Sequence, residues 1–214
     1  MDKNLVHINW EDIQKYSEED ISYFLFLEGK SIEAISKIRN MDKTSVQRHI
    51  VEGKIKYRFL AKSSSIEDLF QKVSSAVKDD RSLFLKNLNL DLKKELVRYI
   101  RENYGDMPPK SKEKAVWILG ELKDGEDILI KASVHKFINI RRLSISAMGK
   151  LESSNFEIPL IRALEDENPQ VVLYAVKALT KIKSQKAVPK LKVIEKKSDK
   201  EYIKNAIKDF FSNL

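Results

Sequence analysis

The sequence predicts an all-α chain: a three-helix unit at the N-terminus, followed by an α-solenoid of stacked helical pairs. Three observations carry this. Apolar residues recur at three- and four-residue spacing through most of the 214 residues. Six Gly and five Pro are too few for an all-β chain, which turns about every ten residues. An apolar pattern first seen at Ala115–Leu122 returns from Ser144, from Ala175 and, more loosely, from Ala206, at offsets of 29, 31 and 31 residues.

Composition narrows the function classes. Hydrophobic residues at 42% supply a packed core, which excludes wholesale disorder. The absence of Cys excludes disulfide scaffolds, thiol nucleophiles, Cys-ligated zinc and iron–sulfur clusters. No apolar run reaches the ~18 residues of a spanning helix, and the first residues do not read as a secretory leader. The expected address is cytoplasmic, with no membrane partner.

A net charge of +8 favours polyanions, nucleic acid first. Its placement is more informative than its size. Met1–Glu28 holds two basic residues against seven acidic, Gly29–Lys62 nine against three, and Lys181–Lys208 ten against three.

Ser17-Glu18-Glu19-Asp20 reads as a cap and acidic first turn, followed by Ile21, Phe24, Leu25 and Leu27, with Gly29 closing the first helix. A second, short helix carries Ile32, Ile35 and Ile38, and Arg39-Asn40-Met41-Asp42 is a turn. A third begins after Asp42 and turns Val46 and Ile50 inward. Three such helices joined by tight turns form a helix-turn-helix arrangement. Glu33–Ile50 resembles the helix-turn-helix of sigma-factor region 4 and of response-regulator output domains. Ile35 and Ser36 take the apolar and small positions, Asn40 the turn, and Asp42 the cap. One departure stands out: the apolar residue before the turn is Arg39 here, with Ile38 as the expected substitute.

The resemblance implies that the third helix enters the DNA major groove with Lys43, Thr44, Ser45, Gln47 and Arg48 outward. Behind it, Lys54, Lys56, Arg58 and Lys62 interleave with apolar residues as a phosphate-contacting extension. His49 reads as a packing residue.

Ala61–Ser65 is the expected linker, which places a helix-turn-helix domain at 1–62 and a solenoid at 66–214, with clear repeats from about 110. Ile66, Leu69, Phe70, Val73 and Val77 form one helical stripe. Shorter helical stretches follow around Leu83–Leu88 and through Leu92, Leu96, Tyr99 and Ile100, before a break at Tyr104–Pro109. Leu119-Gly120-Glu121-Leu122, Met148-Gly149-Lys150-Leu151 and the Asp166-Glu167-Asn168-Pro169 turn resemble short bacterial HEAT-like repeats. Ala115, Ser144, Ala175 and Ala206 would let neighbouring helices approach, with Val116, Ile145, Val176 and Ile207 filling between layers.

In HEAT arrays the second helix of each pair lines the concave face. The resemblance therefore implies a basic face of Arg142, Lys150, Lys177, Lys181, Lys204 and Lys208, with Trp117 and Tyr174 available for stacking. Glu113 and Glu121 flank Trp117 and weaken the charge there.

His7, His49 and His135 are scattered, so neither a His-based triad nor a metal cage has its parts. Gly120 and Gly149 read as lone helix-end residues, not a phosphate loop. The expectation is a non-enzymatic protein, without metal or cofactor, that binds nucleic acid, DNA ahead of RNA. The alternatives are an adaptor gripping a protein partner in the solenoid groove and, behind it, a HEAT-like glycosylase for alkylated bases built on Trp117, Tyr174 and Glu113.

Overall fold

Helix caps and close contacts set the architecture, as the computed structural model shows for Leu5, Val6 and residues 8–214; His7 lies outside the described residues. Contacts divide the chain into two units, one ending at Val77 and one beginning at Lys78. Among the described residues there is no β-strand.

The first unit holds α1 (Glu18–Leu27), α2 (Ile32–Arg39), α3 (Lys43–Lys56) and α4 (Ile66–Ser75). Ser17 accepts from the Asp20 N–H while the Asp20 carboxylate accepts from the Ser17 N–H, a reciprocal cap that starts α1. Ser31, Asp42 and Ser65 cap the next three helices, each side chain accepting from the backbone N–H three residues on. Gly29 at φ 84° and Asn40 at φ 50° supply the left-handed residues that end α1 and α2. Tyr23, Phe24, Ile35, Val46 and Ile50 form the core. The α1–α3 crossing is tight enough that a Cβ on Gly53 would stand 2.2 Å from the ring carbon Cγ of Tyr23, so only glycine fits.

Two expectations are corrected here. Ile38 does not substitute inside the turn: it is 59% exposed. Arg39 itself turns inward, where its guanidinium donates to the Glu18 carbonyl (2.6 Å) and Ser22 Oγ (2.8 Å) and pairs with the Glu18 carboxylate. The α4 stripe ends at Val73; the helix stops at Ser75 and leaves Val77 exposed.

The second unit runs α5 (Lys78–Asn87), α6 (Leu90–Asn103), α7 (Pro109–Leu122), α8 (Glu126–Ala132), α9 (Ile138–Leu151), α10 (Glu157–Ala163), α11 (Pro169–Lys181), α12 (Val188–Lys197) and α13 (Glu201–Ser212). The long helices α7, α9, α11 and α13 pack side by side, each on the next. The shorter α8, α10 and α12 form a second layer, each against the long helix that follows it. Equivalent positions are buried alike: Leu119, Met148, Leu179 and Phe210 in one row, Val116, Ile145, Val176 and Ile207 in another. Full burial of each such side chain contributes about 1.5–3 kcal/mol. Neither layer can bury these rows alone, so the units hold only as a stack.

Beside the buried Ala115, Ser144, Ala175 and Ala206, two glycines read from the sequence as lone helix-end residues also set helix spacing. A Cβ on Gly120 would lie 2.8 Å from that of Ala147, and one on Gly149 would lie 3.1 Å from that of Ala178. Gly120 and Gly149 are thus close-approach residues inside α7 and α9. Ser144, by contrast, reaches back to donate to the Leu129 carbonyl of α8 (2.6 Å).

Ion pairs repeat with the units. Lys150 pairs with Glu121, and Lys181 with Glu152 (2.9 Å) and the Gly149 carbonyl (2.9 Å). Arg141 forks onto Asp166 at 2.6 and 3.0 Å, with the two side chains only 12% and 9% exposed. Three of the four long helices, α7, α9 and α11, are followed by a residue in the left-handed region: Lys123, Glu152 and Lys183.

Candidate nucleic-acid interface

The α3 surface is built by what its other side must bury. Val46, His49, Ile50 and Gly53 face the core. At about 100° per residue, this sends Thr44, Gln47, Arg48, Val51 and Ile55 to the opposite side, with Lys43 and Lys54 on one flank and Glu52 on the other, and all eight are exposed. Thr44, Gln47 and Arg48 have no side-chain partner among the described residues. Lys43 pairs with Glu33 at 3.1 Å, both side chains 60% exposed, a solvated contact readily given up to a phosphate. That lysine and the Glu33 N–H hold the Glu33 carboxyl below its usual range, the N–H foremost. Lys54 lies 4.9 Å over the Phe26 ring.

Three predicted contacts are committed elsewhere. Ser45 donates its hydroxyl to Asp42 (2.7 Å) as part of the α3 cap. Lys56 turns inward to both oxygens of buried Asp20, 2.7 Å from each. Arg58 is half-buried, with its guanidinium 4.6 Å over the Phe59 ring. Conversely, Val51 (56% exposed) and Ile55 (61%) stand outward, which their apolar character concealed in the sequence.

Behind α3 runs a polar chain. Ser22 Oγ accepts from Arg39 and lies 3.1 Å from Nδ1 of buried His49, whose Nε2 stands 3.9 Å from Glu19. His49 thus packs and orients. Glu18, Glu19 and Asp20 are all engaged by groups of α2 or α3, and Glu28 accepts from the Trp10 indole (2.6 Å). No metal-binding cluster exists among the described residues.

In the second unit, Lys150, Ser146, Tyr174, Lys177 and Lys181 surround a groove of about 190 Å³ floored by Gly149 and Ala178. Lys150 and Lys181 hold acids of the preceding unit, as described. Lys177, Lys204, Lys208 and Arg142 have no ion pair among the described residues, and Arg142 lies 5.9 Å from the Tyr174 ring centre. Trp117 is half-buried, with the Arg81 guanidinium 4.2 Å over its ring. One face of Trp117 is therefore already stacked, by α5, where a base-excision site would need it open beside a carboxylate.

Comparison with known families agrees with this geometry. Residues 18–101 match a helix-turn-helix domain, running from α1 into α6. Residues 127–208 match HEAT repeats, covering α8 through most of α13. No curated protein matches the chain. Modules of both kinds are typically non-enzymatic, helix-turn-helix domains pointing to DNA and HEAT repeats to a helical scaffold. No helix among the described residues is long and apolar enough to cross a membrane. The chain thus joins a segment that matches a helix-turn-helix domain to one that matches HEAT repeats.

Proposed function

We propose that this protein binds double-stranded DNA by setting α3 into the major groove, with the solenoid's unpaired cations adding backbone contacts. The observation that carries the reading is the exposed face of α3, where Thr44, Gln47 and Arg48 lack side-chain partners among the described residues while Glu18 and Asp20 behind it are engaged, leaving Glu52 as the exposed acid of α3. Arg48 suits a guanine edge, Gln47 an adenine, and the Val51 methyls a thymine methyl. Lys43 and Lys54 flank that face for phosphates. A groove wide enough for a helix favours B-form DNA over A-form RNA, whose major groove is deep and narrow. Lys177, Lys204 and Lys208 extend the positive field without reading sequence.

Fluorescence anisotropy of a labelled duplex, titrated with the full chain across a salt series, tests this. With Arg48 and Lys54 both changed to Ala, affinity drops and the log–log salt slope flattens by about two phosphate contacts' worth. Unchanged affinity and slope remove α3 from the interface.

A further inference from the structure

A second and larger groove, of about 670 Å³, lies on the solenoid. It crosses the starts of α7, α9 and α11 and reaches Tyr202 in the first turn of α13. Phe137, Ile138 and Tyr202 are exposed there, joined by Pro109 and Pro169. These apolar groups offer nothing to a phosphate and much to aliphatic or aromatic side chains. Asn139 and Gln170 line the same groove, exposed, with side-chain amides that have no partner within the chain. An amide both donates and accepts, which matches a peptide backbone; a phosphodiester only accepts.

The lining carries one carboxylate, Glu113, and one guanidinium, Arg142; beside it stands Lys136, its Nζ 5.3 Å over the Phe137 ring. His135 stacks on Phe137 at 5.4 Å, and burial, then Lys112, Lys136 and Arg141, push its imidazole below the ordinary value. The starts of α7, α9 and α13 carry no side-chain cap, so their free N–H groups add to the positive field.

We propose that this groove holds an extended acidic peptide segment of a partner protein. Its aliphatic or aromatic side chains lie on Phe137, Ile138 and Tyr202, its backbone on Asn139 and Gln170, and its carboxylates on Arg142 and Lys136. The protein would then hold DNA through α3 and the solenoid's other free cations, and a protein segment through this groove.

Selection of random displayed peptides on the full chain tests the assignment, followed by anisotropy of a labelled winner. The expected pool is rich in Asp and Glu around an aliphatic or aromatic residue. Its affinity falls about tenfold with Phe137→Ala and again with Arg142→Glu. Tyr202→Ala, at an exposed position, repeats the test should either variant lose its helical circular-dichroism signal. Failure to enrich, a pool without acidic excess, or winners that bind all three variants as well as the parent overturn the proposal. Competitive displacement of the winner by duplex DNA overturns it too, by giving the groove to nucleic acid. DNA binding by α3 is read separately and survives any of these outcomes.

Discussion

Gly120 of α7 meets Ala147 of α9 so closely that a methyl added to the glycine would stand 2.8 Å from the alanine Cβ and 3.2 Å from its Cα. Gly149 meets Ala178 one unit later with more room, at 3.1 and 3.4 Å. Alanine in mid-helix gains up to about 1 kcal/mol over glycine, while overpacking a tight contact costs about 1–3 kcal/mol. Gly120→Ala should therefore lower the melting temperature, and Gly149→Ala should leave it within a few degrees. Equal melting temperatures for the two variants would contradict the spacing argument.

Arg141 and Asp166 form the most enclosed ion pair of the solenoid. Burial alone would raise the Asp166 carboxyl, but the Arg141 fork and the Asn168 N–H outweigh it and hold the value below the ordinary carboxylate range. A depressed folded-state value contributes stability above the unfolded value and loses it as pH falls through the folded one. Urea midpoints should thus be flat near neutrality and decline below about pH 4. Arg141→Met strands the buried carboxylate, so a loss of about 3–5 kcal/mol is expected at pH 7. A loss under about 1 kcal/mol would mean that the pair is solvated in solution.

Arg39 occupies a place where an apolar side chain would ordinarily sit. Burial lowers its guanidinium's affinity for the proton, yet Glu18 and Ser22 keep it bound in place. Replacing a buried ion pair by a hydrophobe of similar volume is often neutral or stabilising. Arg39→Leu should therefore keep or raise the melting temperature, whereas Arg39→Ala should lower it through lost packing. The reverse order would show that the charge itself holds the turn.

Gln47 and Lys54 share the outward side of α3 but serve different purposes in the proposed complex. Gln47→Ala should relax preference at one base pair, costing about 1–3 kcal/mol on the preferred site and little elsewhere. Lys54→Ala should weaken all duplexes alike and reduce the salt slope by about one. Binding to a panel of duplexes separates the two patterns, and identical profiles would argue against base reading by α3.

How much of this could be read beforehand follows from the physics of each residue. Caps at Ser17, Asp42, Ser65 and Asn168 are local, set within three residues of chain, and the sequence displays them directly. The repeat rows around Leu119, Met148, Leu179 and Phe210 were legible because burial imposes one residue class at one spacing. Pairings across elements were not. Lys56 looked like a phosphate contact because Asp20 is far from it in sequence, and Lys150 and Lys181 looked free because their acids sit a whole unit earlier. Trp117 looked open because nothing in its own helix announces Arg81. The larger groove on the solenoid was missed for the same reason, since Pro109, Phe137, Gln170 and Tyr202 meet only when the long helices are laid side by side.

The first two joints between long helices of the solenoid each seat a plug in a socket: Gly120 and Glu121 meet Ala147 and Lys150, and Gly149 and Glu152 meet Ala178 and Lys181. A chain jointed in this manner can gain or lose a whole segment and still mate correctly. Its length is therefore free to drift by duplication, while the helix-turn-helix keeps its shape.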